Sequence, residues 1–383
     1  MGYLLSFAWL LMAASALGCL YLAYACRAVR RFAERPRPRA AARPPVSLLK
    51  PLHGQDRELA ENLRSFCRQD YPGLQIVFGV QHAEDAALPV VRRLAEEFPA
   101  IDLALVVEAG RRGGNLKVAN LQNMLPKARH DLLVIADSDM RVAPNYLAEV
   151  TAPFADPAIG LVTCLYRGIS SGGFWSDLAC LHVNHSFLPQ AVVGEAVGAG
   201  AGCFGATIAL KRATLEKIGG FAAFADELAD DHALGAAVRR AGLRVELSPH
   251  LVDDVIAEPS LGAMFRHELR WARTIRLIAP LGFLGSIVTY PLPLALLVTA
   301  LGVLPVAAPT LLAAAFCSRY ATIRLTDRAL LLPPTPFWLV PIRDVLSFGV
   351  FIASFFVRTV AWRGHKFRIG PDGRLILDGD SPA

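Results

Sequence analysis

Charge is scarce in this 383-residue chain. Asp, Glu, Lys and Arg make up 19% of it, against about 25% in an ordinary soluble protein, while 54% is hydrophobic and the mean hydropathy is +0.40. The shortage is local, because residues 3–26 and 281–317 carry no charged side chain at all. Also missing is any C-x-x-C pair among the seven cysteines, which excludes a zinc ribbon and a disulfide framework. Scattered free thiols in a reducing compartment remain, and Cys26 at the edge of the first apolar run carries no further signal for acylation. No basic stripe interleaved with aromatics appears, so the net charge of +6 calls for no nucleic-acid partner. Internal repeats and low-complexity tracts are absent as well.

What is there begins with the apolar runs. A helix rises about 1.5 Å per residue and a bilayer core is about 30 Å thick. Residues 3–26 therefore have the length to cross once, and residues 281–317 the length for two tight crossings, with Pro305 and Pro309 near the turn. A third run, 337–357, is interrupted by Arg343-Asp344. The first run exceeds the apolar core of about 7–15 residues in a cleaved signal and has no basic residue before it, so it reads as an anchor. Arg27, Arg30, Arg31, Arg35, Arg37, Arg39 and Arg43 follow it, against Glu34 alone. Positive charge marks the cytoplasmic flank of a span, and these arginines account for most of the net charge. The expected division is an anchor over 1–26, a basic, proline-rich linker over 27–45, and a cytosolic domain over 46–277. A membrane region over 278–360 and a cytosolic tail over 361–383 complete it. Two crossings within 281–317 leave Arg319, Arg324 and Arg328 in the cytosol. A full crossing by 337–357 would then export Arg358, Arg363, Lys366 and Arg368, so that run reads as re-entrant or interfacial.

Within 46–277 the pattern alternates. Short apolar runs at 46–50, 74–80, 102–108 and 131–136 predict buried strands. Stretches with apolar residues at three- and four-residue spacing, 58–68, 88–98 and 116–125, predict helices. Such alternation implies an α/β fold, a mostly parallel, Rossmann-like sheet with helices on both faces. Ligands bind beyond the carboxyl ends of strands in such sheets, which selects the loops 82–85, 108–115 and 137–139. A further strand is expected over 206–210, a helix opening at Ala229-Asp230-Asp231-His232, and a basic amphipathic segment over 267–276.

Asp137-Ser138-Asp139 follows a buried strand directly. Carboxylates at i and i+2 where a strand breaks can meet one hard divalent cation, whose other ligands are water and substrate phosphates. Solvated acidic loops give the same triplet, and its placement at a strand mouth, with Asp85 at the mouth of another, favours the metal reading. Displacing a diphosphate needs that charge neutralised and a base for the attacking hydroxyl. Asp231 is the candidate base, and an ordinary helix N-cap is the equal alternative. Arg270-Trp271 offers a guanidinium and an indole wall. Arg266 and Arg270 lie one turn apart, and a basic helix beside a membrane also serves as a plain headgroup contact. The glycine- and alanine-rich stretch 194–205 either presents an acceptor or permits tight packing.

The set Lys50-Pro51-Leu52-His53-Gly54, Val80-Gln81 with Asp85, Asp137-Ser138-Asp139, Asp230-Asp231 and Arg270-Trp271 resembles the ceramide glucosyltransferase family, glycosyltransferase family twenty-one. The resemblance covers nearly the whole chain, to Trp362-Arg363. Three stretches, 115–120, 161–168 and 339–344, are most similar to its bacterial, hopanoid-associated branch, whose members place N-acetylglucosamine on bacteriohopanetetrol. The resemblance implies a GT-A fold in the cytosol, one N-terminal and two to three C-terminal transmembrane or re-entrant helices, and inversion at the sugar. It implies that Asp85 contacts the nucleotide, that Asp137 and Asp139 serve a divalent metal, Mg or Mn, and the diphosphate, and that Asp231 is the catalytic base. Arg270 and Trp271 end the family's (Q/R)xxRW motif, and Lys117 is a diphosphate or uracil contact. The first position of that motif is His267 here, neither Gln nor Arg, which leaves His267 without an implied role. The implied partners are a UDP-sugar, of glucose or N-acetylglucosamine, and a lipid hydroxyl, in the inner membrane of a multi-pass protein. Ceramide is the alternative acceptor. A processive polysaccharide synthase and an inactive membrane-anchored binding protein are the rival functions.

Overall fold

The computed structural model describes residues 2–37, 43–54, 57–110, 113–198, 202–357, 359–362, 365–369 and 375–377. Parts of the expected linker (38–42), of the 108–115 loop (111–112), of the 194–205 stretch (199–201) and most of the tail, Arg363 included, lie outside those residues. The chain divides into two compact units: Met1–Arg35, Gly172–Gly200 and Glu258–Ala361 form one, and Pro36–Ser171, Ala201–Ala257 and Trp362–Ala383 the other.

The second unit is built on an eight-stranded sheet. Its strands are β1 (Val46–Pro51), β2 (Leu74–Val80), β3 (Asp102–Val107), β4 (Leu132–Ile135), β5 (Met140–Arg141), β6 (Ile159–Ser170), β7 (Ile208–Lys211) and β8 (Arg244–Ile256). Their order is β3-β2-β1-β4-β7-β6-β8-β5. The first four run parallel, β7 is antiparallel to both β4 and β6, and β6 pairs in parallel with β8. The sheet is thus parallel where the sequence alternates strand and helix and mixed beyond it. Successive residues of β1 face opposite ways. Leu48 joins one core with Leu63 and Phe66 of α2 (Leu59–Cys67), Val91 of α3 (Leu88–Glu97) and Leu147 of α5 (Tyr146–Thr151). Leu49 joins the other with Val118 and Leu121 of α4 (Leu116–Met124), Leu215 of α8 (Arg212–Lys217) and Leu234 of α9 (Asp230–Arg240). Helices on both faces of a largely parallel sheet are the architecture that the alternation predicts. At Gly79 in β2 a Cβ would lie 2.4 Å from Asn120 Oδ1 and from Met124 Sδ, so the glycine is what lets α4 lie down on the sheet. A small three-stranded sheet, β9 (Thr359–Trp362), β10 (His365–Ile369) and β11 (Leu375–Leu377), has the order β11-β10-β9.

The first unit gathers the apolar helices. Among the described residues α1 (Gly2–Ala33) is the one single helix long and apolar enough to cross a membrane. The stretch Pro280–Thr289, which contains α11 (Pro280–Gly285), and α12 (Pro291–Leu301) pass the same test taken together and are bent by 66° at the break. Pro291 has no N–H to continue the preceding helix, which is why the break falls there. Gly302, at φ 68°, then ends α12 with a left-handed cap, and Pro309 falls in the first turn of α13 (Ala307–Leu330). Ser15 of α1 donates to the Pro291 carbonyl at 2.9 Å. The unit also holds α6 (Phe174–His182), joined by a π-helical turn to α7 (Leu188–Ala196), then α10 (Leu261–Ile278) and α14 (Val340–Ala353). Buried Arg343 on α14 donates two hydrogen bonds, of 2.9 and 2.7 Å, to the Glu268 carboxylate of α10. Asp344 pairs at 2.8 Å with Arg319 of α13, which also donates to the His185 carbonyl. The charges that interrupt the third apolar run are therefore both satisfied inside the unit. All seven cysteines are free thiols.

Candidate active site

The sheet unit places four of the expected residues at the carboxyl ends of its parallel strands, or on helices beginning there. Asp85 follows β2. Its carboxylate accepts the Gly54 amide at 3.0 and 3.2 Å and the Ala87 amide at 2.9 Å, so it ties the loop after β1 to the loop after β2.

Asp137 and Asp139 follow β4, and the backbone of this turn is clamped from three sides. The Asp137 carbonyl accepts the ammonium of Lys50 and the Met140 amide, and the Asp139 carbonyl accepts the Val255 amide of β8 at 3.0 Å. Lys50 itself is fully buried in β1, with its ammonium 3.8 Å from the centroid of the Phe66 ring. The sequence shows Lys50 as the end of a buried run and the first residue of the Lys50–Gly54 stretch, with no role of its own. Its charge, inside a run of apolar residues, was the available sign of a positioning task.

Lys117 sits in the first turn of α4. Asn115 caps this helix by accepting the Lys117 and Val118 amides, at 3.0 and 3.1 Å, and its side-chain amide donates to Asp230 Oδ1 at 3.1 Å. The cap thereby links α4 to the start of α9. Lys117 Nζ lies 2.6 Å from Asp137 Oδ1 and 3.8 Å from Asp230 Oδ2. Burial would lower its pKa, but Asp137 and Asp230 outweigh that and raise it, so the lysine stays charged.

Asp231, in the first turn of α9, is half-buried. Its Oδ2 accepts the Gly205 amide at 2.9 Å and its Oδ1 the His232 amide at 2.7 Å. Burial, with Asp230 next in effect, raises its pKa to about 6, against the opposing pull of Lys117 and of the two amides. That value is well above an ordinary aspartate and near working pH, which suits a proton acceptor. The N-cap position of α9 is Ala229, and Asp231, inside the first turn, satisfies the amide of His232 at the third helical position as well as that of Gly205.

Gly205 closes the arrangement. A Cβ there would lie 3.1 Å from Asp137 Oδ2, 3.2 Å from Lys117 Nζ and 3.5 Å from Asp231 Oδ2. The glycine leaves open a space bordered by all three groups. Composition pointed to the stretch 194–205 without selecting this position. Tyr166 of β6, also unforeseen, is a half-buried tyrosine whose pKa is raised first by desolvation of its phenol and then by Asp254, Asp231, Asp139 and Asp137.

No group of three or more His, Cys, Asp or Glu side chains poised to hold a metal exists among the described residues. What the site offers is carboxylate oxygen: Asp137 borders the open space, and Asp139 stands two residues on in the same turn. That donor set suits a hard divalent ion that takes its remaining ligands from water and a diphosphate.

Arg270 and Trp271 belong to the other unit, on α10. There His267 Nδ1 meets Glu258 Oε1 at 2.9 Å, and the His267 ring packs at 4.4 Å on Trp271. The departure from the (Q/R)xxRW pattern thus has a local explanation: the imidazole supports the indole.

The model of glycosyl transferase family 21 matches residues 10–375. The chain belongs to glycosyl transferase family 21. It is similar to Ceramide glucosyltransferase 1 of Caenorhabditis elegans, 26% identical over 363 residues, which cover 88% of this chain and 74% of that one. It is similar also to an N-acetylglucosaminyltransferase of Sinorhizobium fredii, 25% identical over 253 residues, 61% of this chain and 58% of that one. Among solved structures, the mannosyltransferase PcManGT of Pyrobaculum calidifontis, in complex with GDP-Man and Mn2+, superposes with a TM-score of 0.56 at 23% identity. The match covers 92% of this chain and 99% of that one and is a likeness of fold. The family read from the motifs is borne out, and this family member is a glycosyltransferase.

Proposed function

We propose that this glycosyltransferase moves one sugar from a UDP-sugar to the hydroxyl of a membrane lipid, inverting the anomeric carbon, with Asp231 as the base. The observation that carries the proposal is the Asp231 carboxylate, held by two backbone amides, with its pKa raised to about 6. Asp231 takes the proton of the acceptor hydroxyl as that oxygen attacks the anomeric carbon. The bond to the diphosphate breaks, and its electron pair leaves with the diphosphate. Lys117 and Arg270 are the cations assigned to the departing charge, Trp271 to the wall of the donor site, and Asp85 to the nucleotide. For Arg270 and Trp271 the support is the family motif. Asp137 and Asp139 would hold a divalent ion, Mg or Mn, which when bound neutralises diphosphate charge. The solved mannosyltransferase of like fold contains Mn2+, which supports the same choice.

The membrane setting is supported by α1, by the bent apolar helix pair and by the arginines after α1. In this reading the protein is a multi-pass inner-membrane protein with its sheet unit in the cytosol, and residues 281–317 cross twice. For the sugar, N-acetylglucosamine and glucose are both supported by relatives. For the acceptor, the stretches 115–120, 161–168 and 339–344 favour a hopanoid polyol such as bacteriohopanetetrol. Ceramide is the second reading, favoured by the similarity to the nematode ceramide glucosyltransferase over most of the chain.

Purified chain in detergent, supplied with each UDP-sugar and each lipid in turn, tests this by mass spectrometry. The expected product is a lipid heavier by one sugar. A polymer would point to a processive synthase, and no transfer or hydrolysis from any UDP-sugar would contradict an active enzyme.

A further inference from the structure

The helix unit has an open cavity of its own. α1 and α13 belong to this unit and run in the same direction, since Ala8 clusters with Ala308 and Cys26 Sγ donates to Thr322 Oγ1 at 3.5 Å. Their C-terminal ends therefore lie side by side. Between them opens a cavity of about 580 Å³, within the roughly 300–1,000 Å³ of a small-ligand site. Arg30 and Glu34 line it from the α1 side, and Arg324 and Arg328 from α13. Ala321, Leu325 and Ala329, four residues apart on α13, give it an apolar stripe.

This cavity is short of negative charge. Three guanidinium groups line it with one carboxylate, Glu34, which Arg30 already engages at 2.9 Å. Asp327, next to them in sequence, is turned to His185 and Thr335, each at 3.2 Å. Arg324 and Arg328 enter no ion pair among the described residues. Their spacing of four makes them neighbours on one helix face, where like charges repel. Arg324 is nevertheless held in place. Its guanidinium lies 4.0 Å from the centroid of the Phe337 ring, and its Nη2 donates to Tyr320 Oη at 3.4 Å. An anion bound among these arginines relieves the repulsion, and their planar forks match the oxygens of a phosphate.

The level of the cavity selects among phosphates. Arg27, Arg30 and Arg31 flank the apolar run of α1 on its cytosolic side. Tyr24 and Tyr320, one to two turns nearer the apolar runs, expose their rings, as aromatics do at a membrane–water boundary. A charged cavity with an apolar stripe at that boundary suits a molecule with a phosphate head and a hydrocarbon tail. Basic pockets between membrane helices on the cytosolic side take such headgroups.

We propose that the cavity between the ends of α1 and α13 binds the phosphate headgroup of an anionic phospholipid from the cytosolic leaflet, with Arg324, Arg328 and Arg30 as donors. This rests on the reading of the chain as a membrane protein. Bacteriohopanetetrol and ceramide carry no phosphate, so the occupant is a lipid other than the sugar acceptor. Free phosphate shares the headgroup's chemistry, and the test separates the two.

The test is a titration of the full-length chain in neutral detergent, read as the concentration that gives half-maximal thermal stabilisation. The probes are phosphatidylglycerol, phosphatidylcholine and inorganic phosphate. The variants are Arg328→Gln and the pair Arg324→Gln with Arg328→Gln. Arg27→Gln with Arg31→Gln is the charge-matched control, since these exposed arginines do not line the cavity. Phosphatidylglycerol should stabilise the native chain saturably, at a lower concentration than either other probe. Its half-maximal concentration should rise about tenfold in Arg328→Gln and about 100-fold in the pair, the worth of one and two charged hydrogen bonds. It should stay near native in the control. Each variant's lipid-free melt is its own reference, and exposed Arg328 gives the deciding result if the pair does not fold. Native phosphatidylglycerol binding in Arg328→Gln and the pair would overturn the proposal. So would an equal loss in the control, which would show diffuse attraction, or inorganic phosphate acting at the same concentration as the lipid. Flotation with phosphatidylcholine vesicles separates the two readings. A chain that does not float contradicts the membrane reading, whereas one that floats without preferring phosphatidylglycerol contradicts this site alone.

Discussion

Lys117 Nζ lies 2.6 Å from Asp137 Oδ1 and within reach of Asp230, and its charge also acts on Asp231. One buried ammonium thus serves the carboxylate expected to face the diphosphate and the carboxylate expected to take the proton. Asn115 fixes the helix start from which the lysine projects. The acidic and basic halves of the site are coupled through this residue.

Asp231 has a pKa raised to about 6, against about 3.9 for the unfolded chain. As a base it works ionised, so kcat/KM should rise with pH through about 6 and level off above it. Stability should run the other way. A group with a raised folded pKa contributes fully below the unfolded value, and its contribution is lost as pH rises through about 6. Rate and melting profiles between pH 4 and 8 check both signs.

Lys117→Met should move the acidic limb of the rate profile upward by about one pH unit or more, because the charge opposing the Asp231 shift is gone. The fold should lose about 1–3 kcal/mol, less than for a wholly buried pair, since the Asp137 side chain is 34% exposed. Denaturant unfolding measures the second effect.

Gly205→Ala would set a methyl group 3.1 Å from Asp137 Oδ2 and 3.2 Å from Lys117 Nζ. The amide to Asp231 survives, so the fold should persist while turnover falls about 10- to 100-fold, as expected for a small misplacement at a reacting centre. An alanine variant with native turnover would remove Gly205 from the site.

Arg343→Met alone leaves Glu268 buried and unpaired and should cost about 3–5 kcal/mol. Arg343→Met with Glu268→Leu should recover most of that, because an apolar pair of similar volume replaces a buried ion pair at little cost. Melting temperatures of native chain, single and double variants in detergent form the cycle.

Much of this architecture could be read from the chain before its structure. β1 to β4 and α2 to α4 obey simple periodicities, and Asp85 and Asp137 stand in loops where such a sheet puts ligands, whereas Asp231 was marked by its place at a helix start and by the family motif. The second half of the sheet was harder. β8 contains Pro249, which reads as a break. In the structure the break is a bulge, where pairing with β6 jumps from Ser248 to Leu251. The π-helical turn between α6 and α7 follows neither the helical nor the strand period. Arg343-Asp344 interrupted an apolar run in the sequence, and nothing local identified Glu268 and Arg319 as the partners, because a pairing between distant positions is a property of packing. Gly205 was visible only as one small residue among many, since its importance lies in the three side chains brought around it.

The central claim is that Asp231 removes the proton from the acceptor. Its most direct test is Asp231→Asn in the purified chain, with transfer and UDP binding measured on the same sample. Transfer should fall about 10²- to 10⁴-fold, the usual share of a general base, while UDP affinity stays near native. Near-native turnover in that variant would contradict the account.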